Sequence, residues 1–589
     1  MYNNYWAIRI YVYNMSSDEL TALVRKIALK NAVEHDGKAI PDKVVSKVIA
    51  SRSDIRGRIK EFLPIIHSIV DEINSMSIGE QKSLLESIAP EMLERKSVSR
   101  EHTLPPLPNA IKGNVVTRFP PEPNGYPHIG HAKAAIIDEE YARMYTGIFI
   151  LRFDDTNPAK ERLEYYDAIK DGMDWLNIKP DRVKNTSDDI ELLYRYASML
   201  IEHGSAYVCR CRPDTIKRNR AAGVECTCRA LSVEEHMEGW AKMFSEYRPN
   251  EAILRFKGDM KSSNTVMRDP TLFRIIEHEH PLKGSKYRVW PTYDFASCVE
   301  DSIDGVTHAM RSKEYELRNE LYYAILERLG LRKPLVLEFS RLEFEGMPVS
   351  KRRIRPLIEK GLVMGWDDPR LPTLMALRRR GIRPEAIREF VLSLGFTKAD
   401  TKPPFKALEA MNRRIIDPIA LRLNAVMHDD SMMLKVNGAE VSRVRIRNHP
   451  TNESLGMREV EIDDTFYVPK DDILNTIGKE LRLIDLFNVK VEGIHTDGGN
   501  AYASAVFSGV ELKNIPKVQW VSKKDARIIN ILVAKELYRG EEFNPSSLVE
   551  CRAYAESYVD RLERGTLIQF IRLGFFRLDS GGSFIMIHE

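Results

Sequence analysis

Several things are scarce in this 589-residue chain, and each scarcity narrows what it can be. Cysteine is rare. There are six, four of them in two tight pairs, too few and too clustered for a disulfide framework in so long a chain. No apolar run is long enough to cross a bilayer. Residues 1–13 are aromatic but lack a small-residue cleavage site, so no secretory signal is expected. Met15 opens a good helix start and is a candidate initiator. Cytoplasmic residence is the expectation, in keeping with reduced thiols. Charge of one sign is lacking too: 88 Lys and Arg stand against 85 Asp and Glu, a net of +3, so any nucleic-acid binding must come from local patches. No internal repeat and no low-complexity tract occurs, which leaves a globular protein. The 43% hydrophobic and 29% charged composition agrees, and the length calls for three to five domains.

The richest stretch is Arg118-Phe119-Pro120-Pro121-Glu122-Pro123-Asn124-Gly125-Tyr126-Pro127-His128-Ile129-Gly130-His131. A short β-branched segment, Asn114-Val115-Val116-Thr117, precedes it. A helical pattern over 132–145 and a strand candidate over 148–153 follow. Strand, turn, helix and strand in that order predict a nucleotide-binding βαβ unit. Its turn would lie at a helix N-terminus, where phosphate binds well. A His-x-Gly-His alone is equally a capped helix with two surface histidines, but further segments accompany it. They are Leu151-Arg152-Phe153-Asp154-Asp155-Thr156-Asn157-Pro158, Trp290-Pro291-Thr292-Tyr293-Asp294-Phe295-Ala296, the basic loop Met347-Pro348-Val349-Ser350-Lys351-Arg352-Arg353, and Gly365-Trp366-Asp367-Asp368-Pro369-Arg370-Leu371-Pro372-Thr373.

In this order and spacing the segments resemble the class I aminoacyl-tRNA synthetases of the glutamyl/glutaminyl branch, the archaeal glutamyl type most closely. The resemblance runs from about Val115 to the C-terminus. The basic loop departs from the family's Lys-Met-Ser-Lys-Ser pattern. It keeps Ser350-Lys351 and loses the first lysine, which preserves a role for Lys351 and removes any contact from the first position.

The resemblance implies a multidomain α/β protein with a split Rossmann-like catalytic domain. Expected boundaries are an N-terminal helical domain at 1–100, a proline-rich linker at 101–112 and a first catalytic half at 113–205. An inserted acceptor-end domain at 206–285 interrupts the fold, and the second half resumes at 286–346. A basic loop and helical connector follow at 347–416. At 417–589, short alternating segments with Gly/Asp turns predict β-barrels, which in the family bind the anticodon. In the N-terminal region, Leu20, Leu23, Val24 and Ile27, and Ile65, Ile69 and Ile73, recur at helical spacing.

The implied reaction is activation of glutamate by ATP, then transfer to the 3′ end of tRNA. The nucleophile is already an anion, so catalysis falls to positioning and charge stabilisation. That chemistry calls for donors and cations and for no nucleophilic Ser or Cys. By resemblance, His128, His131 and Lys351 are catalytic. Glu122, Pro123, Asn124, Gly130, Ser312, Arg341, Leu342, Val349 and Ser350 join them around ATP, with Mg²⁺ arriving on the nucleotide. Arg118, Asp154, Tyr293 and Arg311 would line the amino-acid pocket, with Asp154 on the substrate α-ammonium. Arg311 would complement a γ-carboxylate, which favours glutamate over glutamine. The competing reading of Arg311 is a surface salt bridge with Glu314 or Glu316.

Cys209-Arg210-Cys211 and Cys226-Thr227-Cys228 are two thiol pairs suited to a tetrahedral structural zinc. The cations around them, Arg210, Arg212, Lys217, Arg218, Arg220 and Arg229, could grip the tRNA acceptor end or be an ordinary solvated face. His278-Glu279-His280 reads as structural, and the run Arg378-Arg379-Arg380-Gly381-Ile382-Arg383 as a tRNA contact. The expected partners are L-glutamate and tRNA-Glu. Whether tRNA-Gln is also charged, which would require a tRNA-dependent amidotransferase, is open. No membrane partner is expected, and the expected state is a monomer. Two rivals stand beside this reading: a glutaminyl-tRNA synthetase, and a catalytically silent tRNA-binding or assembly protein.

Overall fold

The computed structural model describes residues 17–35, 37–51, 59–89, 104–400, 402–497 and 500–589. The expectations on residues 1–13, on Met15 and on the turn at Gly498 and Gly499 lie outside them. The chain forms two compact units, Met1–Glu101 and His102–Glu589.

The described residues of the first unit form α1 (Ser17–Glu34), α2 (Pro41–Ser51), α3 (Ile59–Asn74) and α4 (Ile78–Ile88). Val24, Ile27, Val48, Ile69, Val70 and Ile73 make its core. Of the three periodic isoleucines of α3, Ile69 and Ile73 are buried while Ile65 faces outward and Ile66 takes its place in the core. Ser77 and Glu80 form a reciprocal cap on α4. Buried Gln81 donates to the carbonyls of Gly37 (2.9 Å) and Ile73 (2.8 Å), tying the connections to the core.

The second unit begins with β1 (Val116–Phe119), α5 (Ile129–Met144), β2 (Ile148–Phe153), α6 (Leu163–Trp175) and β3 (Arg182–Asn185). The three strands are parallel, β1–β2–β3, with Arg118 opposite Ile150. Phe149, Leu151 and Phe153 on one face of β2 and Ile150 and Arg152 on the other are all buried, as strands covered on both faces require.

The chain goes on through α7 (Ile190–Glu202), β4 (Ala206–Cys209), α8 (Pro213–Ala222), α9 (Val233–Met243), β5 (Ile253–Phe256), β6 (Thr271–Ile275) and β7 (Val289–Pro291). These four strands form one antiparallel sheet.

The parallel fold resumes with α10 (Tyr293–Ile303), β8 (His308–Ser312), α11 (Asn319–Arg328) and β9 (Leu335–Phe339). β8 and β9 are parallel, and the two halves join where the Thr307 amide donates to Val116 O at 2.9 Å. The two parallel sheets thus meet with β1 beside β8, and a crevice at such a change of strand order is where doubly wound folds bind ligands.

Four helices continue the chain, α12 (Lys351–Glu359), α13 (Leu374–Arg380), α14 (Pro384–Leu394) and α15 (Phe405–Ile416). Two seven-stranded sheets complete it. Each curls so that its two edge strands are consecutive pieces of one segment. Leu421–Leu423 and Ala425–Met427 bound the first sheet, and Lys517–Val518 and Val521–Ser522 bound the second. That arrangement brings the edges together and hides them, as a barrel does.

Candidate active site

His128 is the N-cap of α5, in extended backbone, and the chain folds its imidazole back onto the helix start. Its Nδ1 accepts from the Gly130 amide at 3.1 Å, while the Nδ1 of His131 accepts from the His128 amide at 3.2 Å. The reciprocal cap satisfies two orphan helix donors and fixes both tautomers. With Nδ1 accepting, each neutral ring carries its proton on Nε2. The rings lie 4.0 Å apart. Burial, together with Lys351, lowers the pKa of His131 to about 4. Burial, the neighbouring His131, Lys351 and Arg341 push His128 well below its ordinary value. The pair is therefore two neutral N–H donors. A Cβ at Gly130 would lie 2.9 Å from His128 Cε1, so any side chain there would displace the capping ring.

These histidines line a cavity of about 270 Å³ beside β1 and β8. Gly130, Ser312, Arg341, Leu342 and Val349 share it, as do Arg118, Tyr293 and Arg311. Most of the residues singled out in the sequence thus converge. Arg341 is half exposed and pairs with Glu314 at 3.2 Å.

Arg118 forms a wall of the cavity. It is fully buried, and its fork donates to Asp301 (Nε–Oδ1 2.8 Å, Nη2–Oδ2 3.0 Å) and to Met310 O (2.7 Å). Burial alone would raise Asp301, but Arg118 and Arg152 bring it down to about 2. Arg311 differs. It is 6% exposed, its guanidinium lies 4.8 Å over the Tyr322 ring, and its Nε has no partner. Nη1 reaches the Tyr293 hydroxyl at 3.5 Å, and Nη2 donates to Asn319 Oδ1. Glu316 pairs with Lys398 at 2.6 Å and Glu314 with Arg341. Among the described residues no carboxylate pairs with Arg311, and the surface salt-bridge reading does not hold.

Asp154, at the end of β2, is not among the lining residues. Its carboxylate accepts from Arg152 Nε at 2.9 Å and Thr186 Oγ1 at 3.1 Å.

Lys351 opens α12, with Ser350 as N-cap. Its ammonium donates to the backbone and side-chain oxygens of Asn124. Burial lowers its pKa to about 8. Pro123 O accepts from the Arg162 amide at 3.3 Å, pinning the turn that carries Glu122 and Asn124. The segment 366–374 braces the same turn from the other side. Ile129 N donates to Pro372 O and Leu374 N to Pro127 O, both at 2.9 Å. Sequence reasoning gave that segment no role.

The four paired cysteines come together. Their sulfurs all lie within 4.8 Å of one another, with Cys209–Cys226 and Cys211–Cys228 each at 3.8 Å. A tetrahedron with metal–sulfur bonds of about 2.3 Å has edges of about 3.8 Å, so the donor set fits a zinc-sized ion. Arg255 lies 3.8 Å from Cys209 Sγ and 3.9 Å from Cys226 Sγ, favouring thiolate. Some nearby cations are engaged: Arg229 pairs with Asp269 at 2.5 Å, and Arg210 stacks on Tyr247. Arg212, Lys217 and Arg218 face solvent. His280 is structural, buried against Glu161 (3.1 Å) and stacked on Trp290. The arginine run is largely committed: Arg379 pairs with Asp579 and Arg380 with Glu409, each at 2.7 Å.

A parallel sheet with its ligand crevice at the strand reversal, a His-x-Gly-His helix start and a lysine loop over it define a class I aminoacyl-tRNA synthetase. Residues 114–418 match the family described as tRNA synthetases class I (E and Q), catalytic domain. Residues 420–507 and 517–579 match anticodon-binding domains of that family. The chain belongs to it. It is 49% identical over 575 residues to a glutamate–tRNA ligase of Nitrosopumilus maritimus, covering 97% of this chain and 100% of that one. A glutamate–tRNA ligase of Pyrococcus furiosus is 40% identical over 572 residues, covering 95% and 97%. A solved glutamate–tRNA ligase from Elizabethkingia meningosepticum, in complex with its amino acid, superposes with a TM-score of 0.39 at 20% identity, over 52% of this chain and 70% of that one.

Proposed function

We infer that the chain is a glutamate–tRNA ligase, which joins L-glutamate to ATP as glutamyl-adenylate and transfers the glutamyl group to tRNA-Glu. The observation that carries the choice of amino acid is Arg311, a nearly buried cation without a carboxylate partner on the cavity wall. A γ-carboxylate supplies the missing charge. The neutral amide of glutamine leaves the cation uncompensated, an expensive state in a desolvated site.

The Nε2–H groups of His128 and His131 donate to ATP phosphate oxygens without adding charge. Lys351, charged, follows the negative charge that builds on the leaving pyrophosphate. Its present partner Asn124 is a parking place that a triphosphate replaces. Mg²⁺ travels with the nucleotide. Tyr293 and Arg311 hold the glutamate side chain, with Arg118 as the rigid wall behind them, and Asp154 remains the candidate for the α-ammonium. Cys209, Cys211, Cys226 and Cys228 would hold a zinc ion. Four thiolates leave no open position, so its part is to fix the loop between β4 and β5. We assign the insertion at 206–285 to the tRNA acceptor end and the sheets at 417–589 to the anticodon.

The test is charging of tRNA-Glu and tRNA-Gln by the full chain with labelled glutamate and glutamine in parallel. Glutamate on tRNA-Glu is the expected product. Glutamate on tRNA-Gln as well would add a tRNA-dependent amidotransferase to the partners. Glutamine as the preferred substrate, or no charging at all, would overturn the reading.

A further inference from the structure

The charge on Arg311 is left available by a neighbour. Arg311 on β8 and Glu338 on β9 are direct register partners in a parallel pair, so their side chains leave the same face of the sheet. A carboxylate and an arginine on the same face of adjacent strands are placed to pair. Here it does not. Asn319, the first residue of α11, stands between them. Its carbonyl oxygen accepts from Arg311 Nη2, and its amide donates to Glu338 Oε1. Lys398 draws the other carboxylate oxygen of Glu338 away at 3.4 Å. Glu338 is 9% exposed, so water does little to screen it.

We propose that Asn319 is a specificity-determining positioning residue: a neutral amide that keeps Glu338 off Arg311 and so reserves the guanidinium for the substrate carboxylate. The proposal rests on the glutamate reading of the site. An amide suits the task because it accepts on one side and donates on the other. An aspartate at 319 would neutralise Arg311 itself. A small apolar residue would leave Glu338 free to swing onto Arg311 and compete with glutamate as an internal anion.

The test is steady-state aminoacylation by the full chain with Asn319→Ala, Asn319→Asp and the double variant Asn319→Ala/Glu338→Gln, each checked for a wild-type thermal unfolding midpoint. Asn319→Ala is expected to raise the KM for glutamate about tenfold or more, leaving kcat within about threefold and the KM for ATP unchanged. Asn319→Asp should raise it at least as far. The double variant should recover to within about threefold of wild type, since it removes the competing charge. A purely structural role for Asn319 would not be rescued by a change at 338. A glutamate KM unmoved in both single variants, or raised in Asn319→Ala and not restored in the double variant, would overturn the proposal. Failure of the underlying reading shows separately, as an Arg311→Ala variant whose glutamate KM equals that of wild type.

Discussion

Lys351 and Gly125 are in such close contact that a Cβ on the glycine would stand 2.1 Å from Lys351 Cε. The turn before α5 and the loop before α12, 226 residues apart in sequence, therefore interlock through the absence of a side chain. Gly125→Ala should push the Lys351 stem aside. Since misplacing a catalytic group by about 1 Å costs roughly 10²-fold in rate, aminoacylation kcat should fall by about that factor with the glutamate KM little changed. Single-turnover kinetics would check the split. An alanine variant with wild-type kcat would show that Lys351 does not use this position.

The pH profile of the free enzyme should have an unusual shape. His131 is held to about 4, so both imidazoles stay neutral across the physiological range and give no limb near 6.5. Lys351, lowered to about 8, loses its charge as pH rises through that value. Aminoacylation kcat/KM for ATP should stay flat from pH 6 to about 7.5 and decline above 8. Lys351→Arg, permanently charged, should remove that decline at a lower overall rate.

The same histidines carry an acid liability. A base whose folded pKa is depressed contributes stability that is lost as pH falls below the unfolded value of 6.5, and the loss is complete near the folded value of about 4. For His131 this is on the order of 3 kcal/mol. His131→Asn should flatten the decline of the unfolding midpoint between pH 6.5 and 4 relative to wild type.

Arg118→Leu should fail as a fold before it fails as a site. It takes the two-pronged donor from buried Asp301 and leaves that carboxylate with Arg152 at 2.9 Å and the Tyr322 hydroxyl at 3.0 Å. Breaking a buried pair from one side costs up to roughly 3–5 kcal/mol, less where a second cation remains, and urea unfolding would register the loss.

Elemental analysis should find about one zinc per chain. Cys211→Ala/Cys228→Ala should release it and make the 206–285 insertion more open to protease, with β1 and α5 unaffected. A metal-free wild type that resists protease equally would leave the cysteines as four packed thiols.

Much of this was legible in the sequence because it is local. β2 falls on Ile148–Phe153, where the apolar run predicts it, and the helix after the His-x-Gly-His turn follows its pattern. The four cysteines announce their own convergence by spacing. What could not be read is set by distant neighbours. Arg378, Arg379 and Arg380 look like a phosphate-binding run. Yet Arg379 is bound to Asp579, 200 residues on near the end of the chain, and Arg380 to Glu409 on α15, so both cations are taken up in packing α13 against other elements. Asp154 looks like a pocket residue, and its pairing with Arg152 and Thr186 depends on a packing no motif encodes. Asn319 carries no sequence signal at all, since its meaning comes from two strands meeting in register behind it. Ile65 shows the smaller version: it shares helical spacing with buried Ile69 and Ile73, yet the covered face of α3 runs through Ile66 instead.

The central claim is that an unpaired Arg311 selects glutamate by its charge. The direct measurement is kcat/KM for glutamate and for glutamine on tRNA-Glu, wild type beside Arg311→Ala. Glutamate should be preferred by roughly 10⁴-fold in wild type, a preference that collapses in the variant through loss of glutamate and not gain of glutamine. A variant that keeps its preference for glutamate would contradict it.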